Sequence, residues 1–540
     1  MGGGFDQTWV SLASGCLLMI CAGNIYAYAI WSESMSANWP KGDKVHAQAT
    51  VNNLYTAALV GTYLPIGGFF FHRYGTMKTL FMSSFFNCFG YVTLLLQFYN
   101  GGQPHGPNVL SYVAFFCIGT STGMADAGVL GCNLQNHPSK SRGRAMAVLK
   151  GYFGLSAGIF SLFYSSGLEP KSFLLLIGPG SSVLICVCAF FCRIAPVEIL
   201  GLYKDVAGAE WRLGYALCLE LIVAFALFVR SVAFSNKSHV ASIVTGGVVL
   251  SLIVATFLMS YALRMWRWCF HIDVGEITGL VQDEGALVDL DDEETVDTTE
   301  LLDRNRAASA ISVEPLPPDH GSMKLGEALA SANFWIFFSM VLVMMGSGLL
   351  IVSNAARMMK AKGGDEGDVV AFVSMISVSN CVGRIFVGFT ADNSYVHSLN
   401  IYRPALLMNA MIIMGIAHLI LAVGSIEGTL LGGFLGGAAY GAAWTLNPTI
   451  LADLCGLKNW GQIYGVFGFA PTFGSVLFSN ILATAVFQAH ATTIAGKPDQ
   501  CLGDQCFGLA NYITSGLNFL LALTCGPIFV RRTMAIYNST

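Results

Sequence analysis

The sequence contains no glycine-rich loop ending in Lys-Ser or Lys-Thr to cradle a phosphate, no pair of histidines at zinc-helix spacing, and no paired Cys-X-X-Cys. Nothing in it therefore marks an ATPase or a hydrolase, and nothing calls for a cofactor, a metal or a nucleic-acid partner. Charge is scarce as well: Asp, Glu, Lys and Arg make up only 11% of 540 residues, against 54% hydrophobic. A soluble chain of that make-up would aggregate, so water is not its main solvent.

What is present is apolar sequence in fourteen separate runs: 9–31, 50–71, 77–98, 109–131, 144–165, 172–193, 213–233, 239–264, 332–353, 368–390, 404–423, 428–452, 461–487 and 509–530. A hydrocarbon core about 30 Å thick needs roughly 20 apolar residues in a helix, and only a helix hides its own amides there. The fold class is thus an all-α polytopic membrane protein. The spacing divides it into an N-terminal six-helix bundle (1–195), two additional spans (196–265), an acidic loop (266–325) and a C-terminal six-helix bundle (326–540). The first run is too long for a signal-peptide core and is expected to stay as span 1. Asp6 stands where a myristoylation signal needs Ser or Thr, which argues against lipidation.

Basic residues concentrate in the loops that follow spans 2, 4, 6 and 8 and at the C-terminus, including His72, Arg73, Lys140, Arg142, Arg144, Arg193 and Arg531. By the positive-inside rule these loops and both termini are cytoplasmic. Arg357, Lys360 and Lys362 after span 9 depart from that pattern, partly neutralised by Asp365, Glu366 and Asp368. The stretch from Trp268 to Asp303 holds twelve acidic residues and no Lys or Arg, a composition expected to be disordered. Within it Asp297 and the pair Leu301-Leu302 have the form of an acidic dileucine signal for sorting adaptors, which points to an endosomal or vacuolar membrane; a chance leucine pair at the plasma membrane is the alternative. Asn236-Lys237-Ser238 is a glycosylation sequon in an external turn. Cys501 and Cys506 share a polar stretch, and both a disulfide and two free thiols are open to them.

Gly428, Gly432 and Gly436, then Gly433, Gly437 and Gly441, form two small-residue ladders on span 12. Gly119, Gly123, Ala127 and Gly131 form another on span 4. They read first as packing seams, of the kind that suits two bundles rocking against each other.

An ionisable group inside a membrane is costly and marks function by default. The candidates are Glu33, Asp126, Lys150, Glu220, Arg230, Arg384, His418 and Asp453. Arg384 ranks first, since a guanidinium is always charged and binds a carboxylate through two parallel hydrogen bonds. Closing a cytoplasmic gate with Asp392 is its other open role. Asp126 and Lys150 sit on neighbouring spans and can pair, structurally or as a proton site. Asp453 reads as a gate residue, and His418 as a proton relay or a hydrogen-bonded bundle histidine. Glu220 and Arg230 are expected to pair or snorkel. Asn24 and Tyr28 on span 1, Asn354 on span 9, and Tyr440, Trp444 and Asn447 on span 12 supply a candidate pocket, with packing aromatics as the alternative. Asn447-Pro448 is expected to interrupt span 12.

Several stretches together resemble the nodulin-like branch of the major facilitator superfamily. They are Ser141-Arg142-Gly143-Arg144 with Lys150-Gly151-Tyr152-Phe153-Gly154-Leu155-Ser156, then Gly346-Ser347-Gly348-Leu349, Gly383-Arg384, Arg403-Pro404, the run from Asp453 to Gly461, and Cys501 to Cys506 before Phe507. Gly68 to Gly75 looks like a degraded form of the superfamily's loop between helices 2 and 3, with His72 in place of the usual acid. The resemblance implies a major facilitator fold with two additional helices between the six-helix halves. This branch is similar to monocarboxylate and oxalate-formate transporters, in which an arginine on the second helix of the C-terminal six binds the substrate carboxylate; Arg384 is on that helix. Those relatives carry a lysine on helix 1, whereas this chain has Ser32 near that position and no Lys in the span.

The resulting expectation is a secondary transporter, not an enzyme, that alternates access to a site at mid-membrane and carries a monocarboxylate such as pyruvate with a proton. A carrier of amino acids, iron chelates or another metabolite is the runner-up, and a nontransporting sensor or scaffold the reading from another class.

Overall fold

A computed structural model of the protein describes residues 7–28, 31, 47–98, 107–195, 209–233, 239–260, 322–393, 396, 399, 401–494 and 497–538. Glu33, the Asn236 sequon and the acidic tract with Asp297, Leu301 and Leu302 lie outside the described residues.

Fourteen helical segments follow the apolar runs. The first eight are α1 (Gln7–Ala22, continued by a 3-10 turn, Gly23–Ala27), α2 (Ala47–Tyr63), α3 (Ile66–Phe98), α4 (Val109–Asn136), α5 (Ser139–Ser165), α6 (Pro170–Ala189), α7 (Ala209–Ala233) and α8 (His239–Thr256). After a short helix, Leu325–Ala330, come α9 (Ala332–Ala361), α10 (Glu366–Ala391), α11 (Arg403–Val423), α12 (Ile426–Cys455), α13 (Trp460–His490) and α14 (Gly508–Asn538). Twelve of these are long and apolar enough to cross a membrane on composition alone. The other two are α2, with only 17 residues, and α12, whose glycines dilute its hydropathy. A two-stranded ribbon, Thr492–Ile494 with Lys497–Gln500, precedes a Cys501–Cys506 disulfide in the loop between α13 and α14.

Local chemistry sets the ends. Asn108 and Asp365 form reciprocal capping boxes with Ser111 and Asp368 at the starts of α4 and α10. Gly75 breaks α3 with φ 76°, a conformation that glycine adopts without cost. The break falls at the end of the His72-Arg73-Tyr74-Gly75 loop, where the sequence separates spans 2 and 3. The interruption expected at Asn447-Pro448 does not occur, and α12 runs through it. A proline removes only one helix bond, the one to the Trp444 carbonyl four residues earlier, and the ladder on either side continues.

Two apolar cores form. One joins α1 to α8 through residues such as Leu149, Ile177 and Val223, and the other joins α9 to α14 through Met344, Met414 and Leu446. Large apolar side chains such as Phe85, Phe386 and Leu523 point outward, as lipid-facing residues should. The glycine ladders are seams of close approach. A Cβ on Gly441 would lie 2.0 Å from the Asn380 carbonyl of α10, and one on Gly119 would lie 1.8 Å from the Ala58 carbonyl of α2. Two further seams join the halves. Gly68 of α3 abuts Gly461 and Gly465 of α13, while Gly388 of α10 abuts Ala147 and Gly143 of α5. Helix α7 packs against both α5 and α10 and so lies along the second seam.

Candidate functional site

Between the halves lies a cavity of about 50 Å³, room for a few waters. The first half contributes Tyr26, Thr62, Tyr63, Thr122, Asp126, Lys150 and Phe153, and the second contributes Trp444, Asn447, Tyr464 and Pro471. Lys150 on α5 donates to Asp126 Oδ1 on α4 at 2.6 Å. From the other half, the Tyr464 hydroxyl donates to Asp126 Oδ2 at 2.8 Å. The Lys150 ammonium also lies 4.6 Å from the ring centre of Trp444. One buried ion pair is thereby tied to both halves, and its charges cancel.

Arg384 sits beside this cavity rather than in its wall. Its guanidinium is buried on the seam, where a Cβ on Gly154 of α5 would lie 3.1 Å from Cζ. Nε donates to Asn380 Oδ1 at 2.7 Å, and Nη1 has no partner among the described residues. Tyr26, which lines the cavity, and Tyr440 are near enough to act on it electrostatically. Asn447 Oδ1 is likewise buried without a partner among the described residues, and the Tyr440 hydroxyl and Trp444 indole nitrogen, buried beside each other, have no other partner among them. The arrangement offers an unspent cation and unspent polar atoms around a small void, which suits a compact anion.

At the end of the bundle that carries the arginines, ion pairs bind the halves together. Arg403 donates to Asp392 at 2.8 Å, to Asp453 at 2.6 Å and to the Ser139 carbonyl at 2.7 Å. The Arg144 amide donates to Asp392 at 2.8 Å, Arg142 lies 3.6 Å from Asp453, and the Tyr537 hydroxyl donates to Asp453 at 2.9 Å. Burial holds the Asp392 carboxyl above its ordinary range, with Arg403 and the Arg144 amide pulling the other way.

A family model described as Nodulin-like matches residues 8–261, and one described as NFD4, C-terminal domain matches residues 322–538. The chain belongs to the nodulin-like family. Among relatives of this nodulin-like protein, "Probable transporter mch1" of Neurospora crassa is 23% identical over 555 residues, covering 93% of this chain and 85% of the relative. "Probable transporter MCH1" of Yarrowia lipolytica is 25% identical over 233 residues, 41% of this chain; that match spans only 46% of the relative's length. The proton:xylose symporter XylE bound to 6-bromo-6-deoxy-D-glucose has the same fold, with TM-score 0.52 and 13% identity over 96% of this chain and 94% of that one. The fold is therefore that of the major facilitator superfamily, in a multi-pass membrane protein.

The structure distributes the candidate residues of the nodulin-like protein unevenly. Asp126, Lys150, Trp444 and Asn447 line the cavity, and Arg384 and Tyr440 stand next to it. Asn24 instead donates to Asn87 Oδ1 at 3.0 Å and to the Ile177 carbonyl at 2.9 Å, inside the first half. Tyr28 stacks on Tyr55 at 5.6 Å, and Asn354 donates to the Leu350 carbonyl at 3.1 Å and to Ser479 at 3.4 Å. These three are held within the packing of one half. His418 meets Asn511 Oδ1 at 2.8 Å between α11 and α14, and Asp453 sits in the arginine network. Arg384 does not touch Asp392, whose carboxylate is taken by Arg403 and Arg144. Glu220 and Arg230 do not pair with each other: Arg230 donates to Ser242 at 2.6 Å, and Glu220 points into the α5–α10 seam. Tyr464 and Arg403 emerge only from the structure, although both lie within or just beyond the stretches that carry the family resemblance.

Proposed function

We propose that the protein is a secondary transporter for a small monocarboxylate such as pyruvate, working by alternating access and coupled to protons. The observation that carries this reading is the buried Arg384 guanidinium with an unpartnered nitrogen at the seam between the halves. In a low-dielectric site such a group gains most from a carboxylate that supplies the missing acceptors. Tyr26, Tyr440 and Trp444 would enclose the carbon skeleton. With no nucleotide-binding motif, a gradient must drive net transport.

Alternating access requires that the contacts at each end break in turn. The Arg403–Asp392–Asp453 network would be one gate, and the Asp126–Lys150–Tyr464 cluster a latch at the site itself. On this reading the arginine-bearing end faces the cytosol, with both described chain ends, and the Cys501–Cys506 loop faces the oxidising side. His418 would serve packing, since its partner Asn511 belongs to the same half.

A carrier of amino acids is the second reading, because Lys150 and Asp126 offer both charges of a zwitterion's complement in the cavity wall. Counterflow in proteoliposomes against radiolabelled monocarboxylates and amino acids separates the two. Monocarboxylate exchange that Arg384→Ala abolishes supports the first; exchange of amino acids alone, or monocarboxylate exchange that survives Arg384→Ala, removes it.

A further inference from the structure

The helices outside the two six-helix halves are easily taken as accessory, yet one of them carries a carboxylate to the centre of the protein. Glu220, in the middle of α7, is fully buried between α5 and α10. Gly151 of α5 makes the room: a Cβ there would fall 1.3 Å from Glu220 Oε1. From α10, the Cys381 thiol donates to Oε1 at 3.4 Å, a weak bond, and Oε2 has no partner among the described residues.

The same two helices hold Arg384. On α5, Gly151 lies against Glu220 and Gly154 against Arg384; on α10, Cys381 bonds Glu220 and Arg384 follows it three residues on. In both helices the spacing is three residues, a rise of about 4.5 Å. The carboxylate and the guanidinium therefore lie about one turn apart in one buried seam, each with a hydrogen-bonding atom that has no partner among the described residues. Cys16 of α1, Tyr152 of α5 and Cys381 of α10 are the other titratable groups acting on Glu220, and among these neighbours Arg384 carries the permanent charge. Lys150 is engaged by Asp126. A buried carboxylate with only a thiol for company is costly unless a cation offsets it or a proton neutralises it.

We infer that Glu220 is the proton-coupling residue: it balances Arg384 when the site is empty and takes a proton at Oε2 when a substrate carboxylate claims the guanidinium. This rests on the carboxylate reading of Arg384. The step forms one O–H bond, with a proton drawn from the aqueous side, and breaks no covalent bond within the seam. Charge balances, since Arg384 faces one anion both before and after, so each carboxylate enters with one proton and transport is electroneutral. Helix α7 would then supply the coupling group that the resemblance places on helix 1 and that this chain lacks there.

The test uses purified full-length protein in proteoliposomes, [14C]pyruvate as probe, and two readouts: counterflow at equal pH, and accumulation driven by an inward proton gradient. Glu220→Gln should keep counterflow within severalfold of wild type and lose uphill accumulation, while Arg384→Gln loses both. Accumulation that persists in Glu220→Gln overturns the inference, as does loss of counterflow together with accumulation. Accumulation lost instead in an Asp126→Asn variant that keeps counterflow, with Glu220→Gln unaffected, would put the proton on Asp126. Full pyruvate counterflow in Arg384→Gln overturns the carboxylate reading itself. Melting temperatures of the same variants give a substrate-free check: each single variant strands a buried charge, so the double variant should melt above the worse single one, and strictly additive losses contradict the pairing.

Discussion

Arg384 of α10 and Gly154 of α5 meet across the boundary between the two halves, the guanidinium lying where a side chain on residue 154 would begin. A Cβ there would crowd the guanidinium at 3.1 Å, and a larger side chain would displace it. Gly154→Val should push the guanidinium aside and lower kcat/KM by about a hundredfold, as a displacement near 1 Å does for a positioned group. Surface abundance, measured in parallel, should stay near wild type; normal uptake by a well-expressed Gly154→Val protein would mean the guanidinium's position does not matter.

Removing the guanidinium altogether should cost more. Truncating one member of a buried charge contact costs about 2–5 kcal/mol, so Arg384→Ala should reduce uptake by roughly 30-fold or more. Arg384→Lys should rescue poorly, since an ammonium cannot reproduce the fork that grips a carboxylate. The measurement is initial uptake rate against substrate concentration.

Tyr464 gives a milder case. Its hydroxyl donates to Asp126 from the opposite half, and a hydrogen bond to a charged group contributes about 1.5–3 kcal/mol. Tyr464→Phe should therefore loosen the latch and change the exchange rate by roughly tenfold or more without loss of folding, whereas Asp126→Asn strands the Lys150 ammonium and should also lower the melting temperature. Equal effects of the two variants on melting would contradict this division of roles.

The fold was legible because lipid leaves few options: helical segments cover all fourteen apolar runs, although run 50–71 is divided between α2 and the start of α3, and the Gly75 break inside α3 lies where the loop motif ends. Within the site, Asp126, Lys150 and Trp444 could be found because an intramembrane charge or an aromatic beside a polar run stands out in a linear sequence. Asn24, Tyr28 and Asn354 have the same signature, yet they satisfy partners within one half, and only three-dimensional packing distinguishes a bundle asparagine from a cavity one. Glu220 was visible as a charge but not as sharing a seam with Arg384, because the room for the two side chains is left by two glycines, Gly151 and Gly154, that carry no charge themselves. The proline at 448 misled because the loss of one bond does not break a helix of 30 residues.

The arginine-bearing end should behave as a gate. Arg403→Ala leaves Asp392 buried without its guanidinium and Asp453 with Arg142, 3.6 Å away, as its remaining guanidinium, a loss of about 3–5 kcal/mol for a broken buried pair. The ionised form of Asp392 is the one that binds Arg403, and burial raises its pKa, so acidifying that face should weaken the pair at a higher pH than for an exposed carboxylate. Asp392→Asn should remove that pH dependence. Thiol labelling of a cysteine placed at Thr122, in the cavity wall, reports both effects, and labelling from that face that is unchanged in either variant would contradict a gate.

The Cys501–Cys506 disulfide closes a short loop whose Asp504 pairs with Lys362 at the end of α9. Losing it should cost about 2 kcal/mol by loop-closure entropy, seen as a lower melting temperature after reduction or in Cys501→Ser/Cys506→Ser, with exchange at room temperature retained. A melting temperature indifferent to reductant would show that the α9 contact does not need the bridge.

The most direct measurement is pyruvate counterflow in proteoliposomes holding wild-type protein or Arg384→Ala, at equal pH on both sides. Saturable exchange of labelled pyruvate by the wild type, reduced to the level of protein-free vesicles in the variant, is the predicted result. Absence of exchange in the wild type, or equal exchange in both, would contradict a carrier that holds its carboxylate on Arg384.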